Sequence, residues 1–547
     1  MQESSMRGNI LIGVSLYAVA LVVAAGCPTA KERTSSEVPV ARLVPTAIEA
    51  PVPAPAPHSL REKNGVFAKT PPSEPAPAQR SPSSEARFDP VKVNGEYFVG
   101  WPKPRLAILI SGRQDGYLEP CGCAGLENQK GGLARRHALI EQLKEAGWPL
   151  VPLDVGNLVR RFGKQSEVQF AISAEALKIM GYRAAGFGPD DLRLSAGEVA
   201  AAVAGPDVGR SLFVSANASL FDLTPKVQII EKNGVKVGVT AILGDTYREQ
   251  INNTEIEFTP PANALSKVAS KLAKCDVRIL LAHATVDESI ELAKQFPDFD
   301  FVVSADGGDE PPNMAKPIEG AKAKLIEVGH KGMYCVVLGL YDDEKEPVRY
   351  QRVALDSRFP SSPRMKQLMA TYQEQLQDLG WSGLDLRFVA HPSTREGVPR
   401  SGAFVGAESC KECHSKAWEV WSQSPHYHAT DSLEHADPPR QFDAECISCH
   451  ATGWNPQEYF PYATGYDSLK NTPHLAGNQC ENCHGPGGAH VAAETGDDAA
   501  LRDAERQFMK LPYQDAAESC RKCHDLDNSP EFNFEEYWPQ VEHIGKD

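Results

Sequence analysis

Apolar and polar positions along the 547 residues fall into distinct regimes. Residues 10–26, ILIGVSLYAVALVVAAG, form one apolar run that ends on Cys27. From Pro28 to about Pro90 the chain is rich in Pro, Ala, Ser and Glu, a composition that cannot bury a core and predicts a semi-extended tether. Between 101 and 356 short apolar runs such as RLAILISG, PLVPLDVGN, VKVGVTAIL, VRILLAHA and MYCVVLGLY alternate with helical patterns such as ARRHALIEQLKEAG and ANALSKVASKLAK. This alternation predicts an α/β domain whose sheet is covered on both faces. The stretch from Arg364, RMKQLMATYQEQLQDL, predicts one helix joining this domain to the next. Beyond residue 400 the apolar runs are short, and helices and loops with little sheet are expected.

That last quarter carries four copies of Cys-x-x-Cys-His: Cys410 to His414, Cys446 to His450, Cys480 to His484 and Cys520 to His524. Paired CxxC units also bind zinc, but zinc does not require a His after the second Cys of every pair. The five-residue pattern is the attachment signature of c-type haem. Its two thiols (Cys410, Cys413; Cys446, Cys449; Cys480, Cys483; Cys520, Cys523) add to the porphyrin, and His414, His450, His484 and His524 become proximal iron ligands. Four covalent haems are therefore expected.

Of the 13 Cys, eight lie in these motifs. Cys27 follows Ala24, Ala25 and Gly26, small residues that suit a lipoprotein signal in which that Cys is lipidated; the alternative is a plain membrane anchor, for which the run is short. Either way the body lies outside the cytoplasm, on the periplasmic or extracellular face, where c-type haem is attached. From Arg400 onward 11 Lys plus Arg stand against 25 Asp plus Glu, which places −14 of the chain's net −16 there. Such a face favours a basic redox partner and disfavours nucleic acid.

The stretches FVGAESCKECHSKAWEVWSQSPHYHA, CISCHATGW, GNQCENCHGPGGAH, CRKCHDL and YWPQVEHI resemble, in that order, the tetrahaem cytochrome c-554 family. Two axial ligands per iron are expected for electron transfer. The resemblance implies His426, His490 and His543 as distal ligands, and a five-coordinate haem at Cys446 and Cys449. His428, His435, His474 and Met509 are further candidates for that iron, the three His reading first as surface residues.

In the middle domain GGLARR (131–136), LDVGN, LKIMGYRAAGFGPDDL, ILLAHA and VVSADGG resemble the metallophosphoesterase domain of the 5′-nucleotidase type. That chemistry uses two cations held by Asp, His and Asn. The resemblance places Arg113, Asp115, Asn157, Pro189, Asp190, Asp306 and Gly308 on its ligand positions, and only His283 keeps the family residue. Loss of phosphate-ester hydrolysis is expected. Cys121 and Cys123, with His283, form a candidate second metal site for zinc or iron; a CxC disulfide or two free thiols is the alternative.

The sequence thus predicts a multidomain chain: signal 1–27, tether 28–100, α/β metallophosphoesterase-like sandwich 101–356, helical linker 357–399 and a mainly α, loop-rich tetrahaem domain 400–547. Its expected role is exported, membrane-tethered electron transfer. The alternatives are a redox enzyme for a small nitrogen or sulfur species and, behind it, a phosphohydrolase.

Overall fold

The computed structural model describes residues 89–120, 129–204, 211–394 and 402–546. The signal, Cys27, most of the tether, and Cys121 and Cys123 lie outside the described residues. Leu106–Ser111 is buried at every position, as an apolar run between two covering layers must be. Leu106, Ile108 and Ile110 face a second sheet, while Ala107 and Leu109 face helices.

This strand sits in the middle of a five-stranded sheet ordered Val348–Ala354, Tyr334–Leu340, Leu106–Ser111, Leu150–Asp154, Ala184–Ala185. The first two pairings are antiparallel and the last two parallel. The other sheet runs Lys316–Pro317, Lys324–Glu327, Phe301–Ser304, Val277–His283, Val235–Leu243, Gln228–Lys232, parallel in its centre and antiparallel at both edges. Alternate residues of both sheets, among them Ile108, Leu153, Val237, Ile279 and Val336, make the core between them. Helices Leu133–Glu145 and Lys164–Met180 cover the outer face of the first sheet, and Pro261–Leu272 and Val286–Gln295 that of the second. The result is four layers, helix, sheet, sheet, helix, in which the two sheets cover each other on one face and helices cover the other.

Two boundaries shift. Tyr97 and Phe98, inside the stretch read as tether, are buried in the first core, so the folded body takes in the chain from Asp89. Helix Pro363–Gly383, inside the expected linker, buries Met365, Met369, Tyr372 and Leu376 in that core, and so belongs to the covering layer. An apolar stripe at helical spacing needs a partner, and the first sheet's helical layer supplies it.

The C-terminal region is built from helices of three to ten residues and one pair of two-residue strands, Trp454–Asn455 and Phe460–Pro461. No described helix is long and apolar enough to cross a membrane.

Candidate functional site

A metal-bound imidazole nitrogen sits about 2.0–2.1 Å from the ion and about 1.1 Å from its ring centre, so two rings gripping one ion have centres about 6.2–6.4 Å apart. One pair in the C-terminal region meets that spacing and two fall just short of it. His414 faces His490 at 6.4 Å, His484 faces His543 at 6.0 Å, and His524 faces His426 at 6.0 Å. Each joins one motif His to one expected distal His, a pairing the sequence does not contain. The residues fit axial ligation of three irons.

Hydrogen bonds set the rings. His484 Nδ1 bonds Met509 O at 2.6 Å, and His543 Nδ1 bonds Val541 O at 2.8 Å. A carbonyl can only accept, so each Nδ1 carries the proton and Nε2 keeps its lone pair for a metal. His450, the CISCH histidine, is set the same way by Ala429 O at 2.7 Å. His490 Nδ1 is buried without a hydrogen bond. Burial pushes the pKa of His426 down to about 4, and those of His450, His484 and His524 downward, which favours the neutral, metal-binding form of each imidazole. None of the three distal His falls to the CISCH motif. His428, His435 and His474 are exposed.

The thiols order the motifs. Cys410 lies in hydrogen-bonding reach of Cys480, Cys483 feels the Cys520 thiol, and Cys523 reaches Cys449. In space the motifs therefore run CKECH, CENCH, CRKCH, CISCH. A cavity of about 550 Å³ walled by Tyr513, Phe532 and Phe534 opens beside Arg521 of CRKCH.

The CISCH helix, Ala444–His450, is seated on the α/β body. Asp443 caps it by accepting from Glu445 N. The same carboxylate accepts from Gln165 Nε2 at 2.8 Å and Gln373 Nε2 at 3.1 Å, and Gln169 donates to Glu445 at 3.2 Å. Around this seat Arg161 bonds the Tyr459 hydroxyl at 2.6 Å, Lys331 pairs with Asp527 at 2.7 Å, and Arg160 also pairs with Asp527. Trp381 donates to Asp467 O at 2.8 Å and meets Trp454 edge-on. Polar side chains without any motif make this junction, and sequence reading missed them all.

In the α/β body the strand ends collect the positions that the metallophosphoesterase resemblance singles out. Arg113, Asp115 and Asn157 all have positive φ, 48°, 51° and 65°, a strain of about 1–3 kcal/mol each. Their side chains are spent on one another. Asn157 Nδ2 donates to Asp115 at 2.8 Å and Asp190 at 3.2 Å, and Arg113 Nε lies 3.8 Å from Asp115. His283 is buried beside Arg113; burial first, then that charge, lowers its pKa to about 3. A fixed guanidinium stands among the ligand positions, and the residues do not fit a pair of cations. Among the described residues no group of three or more His, Cys, Asp or Glu is placed to hold a metal.

Comparison with known proteins supports the haem half. Residues 409–485 match the family model for "Cytochrome c554 and c-prime". The C-terminal region carries a cytochrome c554 domain. Cytochrome c-554 of Nitrosomonas europaea is 28% identical over 147 residues, which cover 23% of this chain and 60% of that protein. This match supports covalently bound c-type haem. An apyrase of Tabanus yao is 24% identical over 178 residues, 28% of this chain and 32% of the apyrase. The 5′-nucleotidase precursor of Thermus thermophilus aligns at TM-score 0.42 and 19% identity, over 50% of this chain and 59% of that one. The chain thus spans less than two thirds of each of these proteins.

Proposed function

We propose that this chain is an exported, lipid-anchored tetrahaem cytochrome that passes electrons to or from a redox partner with a basic docking face. The observation that carries the reading is the set of three histidine pairs with ring centres 6.0–6.4 Å apart, each joining a motif His to a residue distant in sequence. When bound, the haems supply one-electron chemistry. His414 with His490, His484 with His543 and His524 with His426 would hold three irons from both sides, so that a change of charge meets no change of ligands. The thiol order gives the sites a sequence with CKECH at one end and CISCH, against the α/β body, at the other. Cys27 would carry the lipid, and the Pro-rich stretch would give the body reach above the membrane. The acidic C-terminal region supports a basic protein partner over nucleic acid.

A second reading, a redox enzyme acting on a small nitrogen or sulfur species at a five-coordinate haem, is favoured by a cavity beside the CISCH helix. Low-temperature EPR of the fully oxidised protein, quantified against four haems per chain, separates the two. Low-spin signals from all of the iron leave the pure carrier. A high-spin signal from about a quarter of the iron promotes the enzyme. Fewer than three low-spin sites would defeat the pairing itself.

A further inference from the structure

The cavity beside the CISCH helix measures about 50 Å³ and takes its walls from both halves of the molecule. The α/β body gives Asp115, Tyr117, Arg160 and Arg161; the C-terminal region gives Glu445, which precedes Cys446, and Tyr459. At about 10–15 Å³ of such space per water, it admits roughly three to five atoms of that size. A triatomic or tetra-atomic species fits, and an aromatic ring does not.

The walls are rich in donors. Arg160 Nη1 bonds the Tyr117 hydroxyl at 3.3 Å and also reaches Asp527, which accounts for one nitrogen of its guanidinium. Arg161 lies 3.8 Å over the Tyr459 ring and donates to its hydroxyl. Each phenol accepts one of these bonds, so its own proton is left to donate. Burial raises both phenols, Tyr459 to about 12, so that proton stays in place at neutral pH. The negative side is muted. Asp115 is engaged by Asn157 and Arg113, and burial, with Asp443 adding to it, pushes Glu445 up to about 7. The lining therefore sets two arginines, of which Arg161 also donates to Gln457 O at 3.3 Å, beside two restrained carboxylates, in a region that is otherwise strongly acidic.

We propose that this recess receives a small inorganic oxyanion, held by Arg160, Arg161 and the hydroxyls of Tyr117 and Tyr459, next to the cofactor attached at Cys446 and Cys449. The inference rests on the reading of the CISCH site as a ligand-binding centre, and it assigns the α/β body a part in it. That body, having lost its cation ligands, supplies the recognition surface for chemistry on the neighbouring domain.

The test uses oxidised full-length holoprotein with nitrite as the probe. Affinity is read by calorimetry, and the haem response by the Soret band and EPR. Arg161→Gln is expected to weaken nitrite binding roughly tenfold or more, and Tyr117→Phe by a smaller factor, because hydrogen bonds to a charged ligand are lost. Nitric oxide, which carries no charge, should bind both variants as it binds the parent. Haem content and the low-spin signals of the three His-paired sites report whether each variant is folded. Unchanged nitrite affinity in both folded variants overturns the proposal. So does a protein that shows high-spin iron and binds nitric oxide yet ignores nitrite; the ligand-binding centre then stands without this recognition. Arginine-dependent nitrite binding without any high-spin iron would support the recess and sink the ligand-binding haem instead.

Discussion

The two halves of the molecule are held together by different means. The α/β body has three clusters of buried apolar side chains, two of them on the outer faces of sheets that share the third. The C-terminal region has one cluster of eight, centred on Ile447, Trp454 and Tyr466, and helix Ser415–Ser422 has no buried residue at all. One half is closed by apolar area removed from water; the other has little such area, and on the proposed reading thioether and iron–imidazole bonds would close it. A fold can be written in the periodicity of its side chains or in the spacing of its ligands.

Withholding haem is the most severe way to break this contrast. Expressed without haem attachment, residues 402–546 are expected to be lost to trypsin completely while the α/β body survives as a resistant fragment, read by mass spectrometry. Equal protection of both halves would show that the C-terminal region has a sufficient core of its own.

The reverse effect belongs to the body. Arg136 and Asp154 are fully buried with a 3.6 Å contact, and Asp154 also accepts from Ser111 at 2.6 Å and Gly156 N at 2.9 Å. Asp154→Asn leaves the guanidinium charge unmatched, an expected loss of about 3–5 kcal/mol in urea unfolding of the body, with the haem spectra unmoved. A somewhat smaller loss, about 3 kcal/mol, is expected for Asp191→Ala. That carboxylate accepts from the backbone N–H of Asn157, Leu158, Val159 and Gly188 and so fixes the turn that leads into Arg160 and Arg161. Here the Tyr459 environment should change as well, visible as a shift in Soret circular dichroism.

The smallest effect lies on the junction. Burial pushes Asp527 up, but bonds from Lys331 and Arg160 outweigh it and hold the carboxyl at about 2, below its ordinary 3.8. A depressed carboxylate contributes above its unfolded pKa and loses that contribution as pH falls, here between about 3.8 and 2. With the group partly exposed, about 1 kcal/mol is at stake. Hydrogen exchange around residues 157–161 should rise over that interval in the parent and be high and flat in Asp527→Asn.

Much of the plan was legible in the chain. Runs such as RLAILISG read as strands because a doubly covered strand is apolar throughout, and the haem motifs read directly because thiol addition needs a fixed spacing. His426, His490 and His543 were recognisable as candidates, but their partners were not, since closing long loops leaves no local signature. The seat of the CISCH helix was invisible for another reason. Gln165, Gln169 and Gln373 sit on helices where a glutamine ordinarily meets water, and only the assembled surface shows that they meet Asp443 and Glu445 instead.

That seat bears on the order of assembly. The α/β body precedes the haem motifs along the chain, and domains made first fold first. Gln165 and Gln373 stand on helices of that body, so a body folded first would act as a jig for the second motif. A chain with a damaged body would then mature with its other attachment points intact and this one out of true, a fault written into the protein before it reaches any partner.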